Sequence, residues 1–372
     1  MIYWDNNATT PLAPEVLEAM LPYMRDCFFN PSAAYGAAKA VRRDIERARE
    51  QVAALFAVYP DEIIFTAGAT EATNAALAPF QNVLTLTTEH PATLRSIRGE
   101  AAPVLSNGVA DIPSWKEGLE GKDAVSFAWA NHETGVLQPV RSLSAAAAEA
   151  GLVVHVDVVQ AAGKVPVHLH DYAIDFASAS AHKLHGPKGC GCLYVRRGVE
   201  FHPLLKGGAQ ESYRRAGTEN VAGIIGFGKA AELALAAAEQ YAGLALLRER
   251  FEKALQEAGV YYVVNGGSAG RLPHVLNMRV PGCSAQSLSL LLEPAGLLCS
   301  TGSACTSAEP EPSHVLKAMG LPDKEIRESL RLSLNRYCTE REVDEAAQIF
   351  IAAVRKVKSV QSSVTGPVMV YR

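Results

Sequence analysis

Short runs of apolar residues alternate with helical segments through much of the chain. The runs carry few charged residues and read NVLTLTT, AVSFAWA, GLVVHVDVV, DFASASA and GCLYVRR. Helical patterns such as RSLSAAAAEAG lie between them. Strands with so few charges are typical of a sheet that is covered on both faces, and alternation with helices favours parallel strands. The pattern therefore predicts an α/β fold with a largely parallel sheet between helices.

The length of the chain indicates more than one hydrophobic core. A chain of 372 residues exceeds the size that a single core usually supports. An Ala/Leu/Glu-rich helical segment covers residues 226–258, and the apolar runs YYVVNG and HVLNMRV follow it. We predict a large domain at residues 15–255 and a smaller α+β domain that combines residues 1–14 with residues 256–372.

The composition excludes several classes of protein. A formal net charge of −4 gives no sign of a surface for nucleic acid or for anionic membranes. The N-terminus MIYWDNNATTP lacks the features of a signal peptide, and no apolar run approaches the roughly 18 residues of a membrane span. Seven cysteines at uneven spacing favour reduced thiols and a cytoplasmic location over a disulfide framework.

Polar residues follow several predicted strands, and the first such group is TAGAT at residues 66–70. Ligands of open α/β sheets bind at the carboxyl ends of the strands. Gly68 and Ala69 would let backbone N–H groups approach an anion, Thr70 adds a hydroxyl, and the following helix N-terminus favours a phosphate. A plain turn between a strand and a helix would have the same sequence, so this motif is weak alone.

The second group is HVDVVQ, in which Asp157 ends an apolar strand. An unpaired carboxylate there would cost several kcal/mol, so Asp157 needs a cationic partner. A protonated heterocyclic nitrogen would serve, and so would an ordinary buried ion pair. Gln160 could then reach a phenolic oxygen of the same ligand.

The third and fourth groups are SASAHK and TTEHPA. Ser180 and His182 offer donors to a phosphate, and Lys183 in a cationic, partly desolvated pocket would have the lowered pKa that imine formation requires. His90 could lie flat over a planar cofactor. The simpler alternative for Lys183 is an ordinary surface lysine, and for His90 it is a structural histidine. Together with Asp157, which would keep a ring nitrogen protonated, they predict a site for pyridoxal 5'-phosphate.

The same segments make the chain resemble the NifS/IscS-like cysteine desulfurases, which belong to the class V aminotransferase group of fold-type I pyridoxal phosphate enzymes. The resemblance covers nearly the whole chain. It includes YWDNNATTP, NPSAAYG, IIFTAGATEATN, TEHPA, HVDVVQAAGKVPV, SAHKLHGPKGCGCLYVRR, GGAQESYRRAGTENV and STGSACTSAEPEPSHVLKAMG. It implies a mainly parallel seven-stranded sheet in the large domain. It also implies conversion of L-cysteine to L-alanine, with the sulfur carried as a persulfide on an active-site cysteine.

The resemblance also implies a role for individual residues. Lys183 matches the Schiff-base lysine, His90 the stacking ring and proton shuttle, and Arg331 the clamp for the substrate carboxylate. Thr218 matches the residue that reaches the phosphate of the neighbouring subunit, so a homodimer is expected. The remaining roles fall on Asp157 (ring nitrogen), Gln160 (ring O3′), Asn30 (substrate) and the phosphate ligands Ala69, Thr70, Ser180 and His182.

The resemblance identifies Cys305 as the nucleophile. It lies in CSTGSACTSAEPEPS, which has no large apolar residue and predicts a mobile loop at about residues 299–312. Such a loop would deliver sulfur to an acceptor in thiolation or to an iron–sulfur scaffold protein, and Cys305 could also ligate a transferred cluster. The CGC pair at Cys190 and Cys192 has no second ligand pair with the spacing of a zinc site, so we expect no metal.

Two positions depart from the family pattern. In NHETG, His132 replaces the asparagine that commonly donates to the cofactor O3′, and Tyr35 stands where a histidine is common. Because an imidazole is titratable, His132 is expected to add a pH dependence between roughly 5 and 8. Other class V activities remain open, including selenocysteine lyase, aminotransferase and kynureninase-like lyase. A degenerate sulfur-relay or scaffold protein is a further alternative, against which Asp157, Lys183 and His90 together argue.

Overall fold

The computed structural model of the chain describes residues 1–301 and 312–364, with side chains up to residue 360. Residues 302–311, which include Cys305, lie outside the described residues. The helices are α1 (Pro14–Arg25), α2 (Gly36–Phe56), α3 (Ala69–Leu77), α4 (Pro91–Leu94), α5 (Ile112–Glu117), α6 (Val140–Glu149), α7 (Val221–Ala236), α8 (Ala238–Glu257), α9 (Ala285–Leu292), α10 (His314–Ala318), α11 (Asp323–Arg327) and α12 (Glu340–Val364). The strands are β1 (Ile2–Tyr3), β2 (Ile63–Thr66), β3 (Val83–Leu86), β4 (Gly99–Ala102), β5 (Ala124–Ala128), β6 (Val153–Asp157), β7 (Phe176–Ser180), β8 (Gly191–Val195), β9 (Val263–Val264), β10 (Val275–Arg279), β11 (Leu297–Leu298) and β12 (Ser329–Ser333).

The large sheet has seven strands in the order β2-β8-β7-β6-β5-β3-β4. Strands β3 to β7 pair with one another in parallel, whereas β8 is antiparallel to both of its neighbours, β7 and β2. The prediction of an α/β fold with a mainly parallel seven-stranded sheet is therefore confirmed. The parallel pairing brings the carboxyl ends of β3, β5, β6 and β7 to one edge of the sheet.

Both faces of this sheet are buried, as the low charge of its strands predicts. Successive residues of one strand enter different hydrophobic clusters, because side chains alternate across a strand. Ile64 packs in one cluster and Phe65 in the other, and Ala124 and Val125 divide in the same way. Helices on each side cover these clusters, and only the edge strand β4 is mostly exposed.

The apolar helix α7 packs closely against α2. A Cβ at Gly228 would lie 2.6 Å from the Ala48 Cα, so the two backbones approach more closely than any other residue would allow. Within the part of the chain that the structure describes, no single helix has the length and apolarity of a membrane span. Helices α7 and α8 pass that test only as a pair, by length and composition, and the pair is bent by 65°.

A second hydrophobic core lies around the antiparallel sheet β12-β10-β9 and helices α8, α9 and α12. The N-terminal residues Ile2 and Trp4 belong to it, and β1 pairs in parallel with β11. The Trp4 ring lies 5.1 Å from the ring of Phe251, and its Nε1–H donates to Glu342 at 2.9 Å. Side chains of α8 also pack in this core, and the division at residue 255 stays a prediction.

A buried ion pair holds the segment after β8 against β2. Arg49 contacts Glu211 through two hydrogen bonds of 2.7 and 2.8 Å, and it also donates to the Ile63 carbonyl. The Phe65 N–H donates to the same Glu211 carboxylate at 2.9 Å. Glu211 opens a run of three left-handed residues, with φ of 48°, 56° and 65°. Left-handed backbone is unfavourable for such residues, so the pair stabilises a strained turn.

We expect Arg49→Met to lower the free energy of unfolding by about 3 kcal/mol, because the buried Glu211 carboxylate would lose its partner. Chemical denaturation measures this change. The control is Arg25→Met at the exposed Arg25–Asp26 pair, where the loss should be below about 1 kcal/mol. Equal losses in the two variants would contradict the assigned role of the buried pair.

Candidate active site

A cavity of about 690 Å³ opens at the carboxyl ends of the parallel strands. Strands β6 and β7 end at its wall, and the N-terminus of α3 faces it. Most of the predicted site residues line this one cavity: Ala69, Thr70, His90, His132, Asp157, Gln160, Ser180, His182, Lys183 and Arg331. Residues from both hydrophobic cores contribute, since Asp5, Cys299 and Arg331 also line it.

One end of the cavity has the character of an anion site. The Ala69 N–H donates to the Ser180 hydroxyl at 2.8 Å, which joins the start of α3 to the end of β7. Thr70 lies in the first turn of α3, where the helix dipole and backbone N–H groups favour a negative group. Nδ1 of His182 lies 3.1 Å from the Thr9 hydroxyl, and burial, with Lys183, lowers the pKa of His182 to about 4. A neutral imidazole therefore borders this end.

Asp157 ends β6 at the floor of the cavity. Its carboxylate accepts a hydrogen bond from the Val159 N–H at 2.8 Å. Burial raises the pKa of Asp157 to about 6, although the Val159 hydrogen bond and Lys183 oppose the change. Among residues 1–301 and 312–360, no basic side chain forms an ion pair with it. A desolvated carboxylate without a cation suits a ligand with a protonated ring nitrogen.

Lys183 lies in the turn that follows β7, and its ammonium is held by main-chain oxygens. Nζ donates to the carbonyls of Asn7 and Ala8, the second at 2.7 Å. Burial and the positive charge of Arg331 lower the pKa of Lys183 to about 8, against the opposing charges of Asp157 and Asp5. A fraction of this amine is therefore uncharged near neutral pH, as a nucleophilic or basic amine requires.

His90 is the N-cap of α4 and lies beside His132. Its Nδ1 accepts from the Ala92 N–H at 3.0 Å, so the neutral ring carries its proton on Nε2. The pocket walls remove part of its hydration, although much of the ring stays open to solvent. This loss of hydration and the charge of Lys183 lower the pKa of His90. The centroids of the His90 and His132 rings are 5.2 Å apart, at an interplanar angle of 78°.

The surroundings of His132 disfavour its protonated form. Burial is the largest cause that holds the pKa of His132 well below its usual value, and His90, Arg331, His314 and Lys183 add to it. The pH dependence expected from His132 between roughly 5 and 8 stays a prediction, and this lowered pKa argues against it. The His132 carbonyl accepts from Asn7 Nδ2 at 3.1 Å and from Arg331 Nη1 at 2.9 Å.

Arg331, on β12, stands at the opposite end from the anion site. Its Nη2 pairs with the Asp5 carboxylate at 2.6 Å. Cys299 lines the same end, and burial raises its pKa to about 12. Cys299 is therefore a neutral thiol, whereas the guanidinium offers positive charge to an acidic ligand.

Comparisons with known proteins agree with this geometry. A family model for class-V aminotransferases matches residues 2–346. A cysteine desulfurase of Enterobacter agglomerans is 44% identical over 364 residues, which covers 93% of this chain and 91% of the relative. The chain belongs to the cysteine desulfurases of the class-V aminotransferase family.

Solved structures extend the likeness to three dimensions. A NifS-like protein is 33% identical with a TM-score of 0.86, and the match covers 97% of this chain and 99% of that protein. The protein SspA, solved in complex with cysteine, is 31% identical with a TM-score of 0.79. That match covers 91% of this chain and 100% of the SspA chain.

Two residues predicted from the family resemblance, Thr218 and Asn30, lie elsewhere. Thr218 is exposed and lines a separate cavity of about 150 Å³ with Arg215 and Glu219. Asn30 is also exposed, and its side chain accepts from the Ser32 N–H at 2.9 Å within its own turn. Cys305 lies outside the described residues. The structure of one chain therefore does not bring Thr218 and Asn30 together with the other family positions.

Two residues that sequence reasoning missed organise the cavity. The Asn7 carbonyl accepts from Lys183 and from Gln160, the latter at 3.1 Å, and its side chain contacts His274 at 2.9 Å. Lys164 donates to Gln160 Oε1 at 3.2 Å, and burial, with Lys183, lowers its pKa to about 7. The polar run DNN inside an apolar N-terminus was the available signal for Asn7.

Glu89 is a third such residue and lies directly before His90. It is buried, and its Oε2 has no hydrogen-bond partner among the described residues. Burial raises the pKa of Glu89 to about 8, and the nearby Asp157 adds to the rise. A protonated Glu89 therefore adds no negative charge beside Asp157 at neutral pH.

Asp157→Asn should stabilise the cofactor-free protein. The folded pKa near 6 lies above the ordinary value of 3.8, so ionisation penalises the folded state as pH rises between these values. The penalty is complete about one pH unit above the folded pKa, and its removal should raise the free energy of unfolding by about 3 kcal/mol at about pH 8. The gain should vanish below about pH 4, where the carboxyl is protonated in both states.

Denaturant unfolding at several pH values checks this prediction, with the exposed Asp26→Asn as control. The same Asp157→Asn variant should bind pyridoxal phosphate more weakly, because an amide does not hold a protonated ring nitrogen. A variant that is less stable than the wild type at high pH would contradict the assignment of an unpaired carboxylate.

Proposed function

We propose that this enzyme uses pyridoxal 5'-phosphate to convert L-cysteine to L-alanine and carries the sulfur as a persulfide on Cys305. The observation that carries the proposal is the convergence of Lys183, Asp157 and Arg331 in one cavity. An amine with a lowered pKa, an unpaired buried carboxylate and a guanidinium suit a cofactor with a cationic ring and an amino-acid substrate. The relatives named cysteine desulfurase and the SspA complex with cysteine support the same substrate.

The donor set fits this cofactor along its whole length. The phosphate would lie at the start of α3, with Ala69, Thr70, Ser180 and His182 as its ligands. The ring nitrogen would pair with Asp157, and the ring O3′ would meet Gln160 and His132. His90 would stack on the ring. When bound, the group would delocalise the negative charge that proton removal leaves on the substrate.

The hydrogen bonds divide the acid and base roles between Lys183 and His90. Lys183 has an uncharged fraction and is held by carbonyls alone, so it can accept a proton from the substrate Cα. His90 Nδ1 is occupied by the Ala92 N–H, so neutral His90 presents Nε2–H to the cavity. We assign Lys183 as the base at Cα and His90 as a proton donor and shuttle.

The sulfur step needs a second nucleophile, and we assign it to Cys305. Its thiolate would attack the substrate sulfur, an S–S bond would form, and the electron pair of the broken Cβ–S bond would remain on the substrate carbon. Protonation of that carbon then gives alanine. The described residues that flank the segment support this role. Thr301 lines the cavity, and the rings of His314 and His132 lie 6.2 Å apart.

We further infer a cytoplasmic enzyme that passes sulfur to an acceptor protein or an iron–sulfur scaffold. The six cysteines that the structure describes are all unpaired, which suits a reducing compartment. A persulfide on a cysteine can be transferred to another thiol, and Cys305 could also ligate a cluster. These assignments extend the family resemblance.

We infer a homodimer in which Thr218 completes the phosphate site of the partner subunit. Thr218 is exposed and does not line the cavity of the other phosphate residues in one chain, which supports a role in a second chain. Exposed apolar residues precede Thr218 in sequence. They include Leu204, Leu205 and Tyr213, and Tyr213 is 72% exposed. The strained turn at residues 211–213 presents Tyr213 outward, as an interface would use it.

The turnover experiment separates the two nucleophiles. The wild type should release alanine and sulfide from L-cysteine. Cys305→Ala should retain covalently attached cofactor and its absorbance but form no persulfide, whereas Lys183→Ala should lose the attachment and turnover. Mass spectrometry of the intact protein and alanine assays measure these outcomes. Alanine release by Cys305→Ala at the native rate would exclude Cys305 as the nucleophile.

The Thr218 assignment predicts complementation between subunits. Thr218→Val should bind cofactor weakly and Lys183→Ala should be inactive, yet a mixed dimer should recover one intact site. That site combines Lys183 from one subunit with Thr218 from the other. Co-expression with two different tags gives the mixed dimer, and exposed Ser268→Ala is the control for loss of a hydroxyl. No recovery in the mixed dimer, or an active monomer in light scattering, would refute the arrangement.

A further inference from the structure

Arg331 reaches the cavity with part of its guanidinium already engaged. Nη1 donates to the His132 carbonyl at 2.9 Å, and Nη2 pairs with Asp5 at 2.6 Å. Nε is buried and has no hydrogen-bond partner among the described residues. Asp5 is therefore already the partner of Nη2, while the buried Nε offers no accessible N–H.

Nη2 is the group of Arg331 at which a carboxylate can be exchanged. Guanidinium N–H groups form strong hydrogen bonds with carboxylates, but Nη1 is directed to a carbonyl and Nε is buried. The side chain of Asp5 lines the same cavity as Arg331. An incoming α-carboxylate that pairs with Nη2 therefore meets the Asp5 carboxylate at the same group.

The backbone of Asp5 is fixed, so exchange must occur by movement of its side chain. Asp5 forms a bridge with Ser333 on β12, the strand that also carries Arg331, and its carbonyl accepts from the Tyr3 hydroxyl at 3.0 Å. Rotation of the side chain would free Nη2 without any change in the strand pairing. Asp5 is also partly exposed at the cavity, with 24% of its side chain accessible, so its released carboxylate can be hydrated.

We propose that Asp5 is a specificity-determining residue that competes internally with the substrate α-carboxylate for Arg331. The proposal rests on the proposed function, in which Arg331 binds the carboxylate of L-cysteine. Asp5 neutralises the guanidinium of Arg331, a residue that is only 7% exposed. A ligand with a carboxylate replaces Asp5, whereas an amine or thiol without one gains nothing from Arg331. Asp5 therefore lowers affinity and limits binding to ligands that can take over the ion pair.

The test compares Asp5→Asn with the wild-type holoenzyme, using a thiol with a carboxylate and a thiol without one. For Asp5→Asn, the KM of L-cysteine and the inhibition constant of 3-mercaptopropionate should fall about ten-fold, because a charged competitor is removed. Inhibition by cysteamine, which has no carboxylate, should not change. Asp26→Asn is the matched control at an exposed position, and Asp5→Ala should show the same fall if Asp5→Asn is unstable.

Opposite results would overturn the proposal. If Asp5 only positions Arg331, both constants should rise in the variant, and if it is a bystander, neither should change. Binding of 3-mercaptopropionate is also followed by its effect on the cofactor absorbance, which needs no turnover. Failure of the wild type to make alanine from L-cysteine would refute the proposed function, while the binding comparison would still decide the role of Asp5.

Discussion

The main-chain carbonyl of Asn7 is the contact on which the arrangement of the site depends. It accepts hydrogen bonds from both Lys183 and Gln160, which come from different loops of the large sheet. The segment that bears it is anchored in the second core through Trp4 and through the bridge of Asp5 to Ser333. The two cores therefore meet at one peptide group. A carbonyl can hold an ammonium without fixing its proton, so Lys183 is positioned and remains able to lose that proton.

The cavity lining combines two basic side chains, Lys183 and Arg331, with two carboxylates, Asp5 and Asp157. Arg331 pairs with Asp5, whereas Lys183 is held by main-chain carbonyls and has no carboxylate partner among the described residues. Such a site suits a ligand set with a phosphate, a carboxylate and a developing negative charge. Lys183 and the Asp157 carboxylate are desolvated without full compensation by the surrounding residues, which is unfavourable for the fold. The folded state therefore loses stability at the residues that ligand binding and proton transfer require.

Sequence reasoning predicted the sheet and much of the site because both follow from local patterns. Low-charge runs identify buried strands, and Asp157 or Lys183 stand out because a charge next to such a run needs a reason. Asn7 was missed because its hydrogen bond with Gln160 joins segments more than 150 positions apart in sequence. Lys164 was missed because its hydrogen bond with Gln160 forms inside a turn. The antiparallel pairing of β8 also escaped prediction, since its apolar sequence reads the same in either direction. The roles of Thr218 and Asn30 were predicted from the resemblance alone, and the structure of one chain does not place either residue at the cavity.

The replacement of the usual asparagine by His132 leaves the charge of the site unchanged. An unprotonated imidazole is a neutral hydrogen-bond donor, as an amide is. A protonated ring would instead add a positive charge beside Lys183 and Arg331. The surroundings disfavour this, because burial first, and those same cations in addition, hold the pKa of His132 well below its usual value. The positive charge that suits anionic ligands thus also favours the neutral form of His132. The departure from the family pattern changes the size and shape of a donor, and the electrostatics that the chemistry needs are retained.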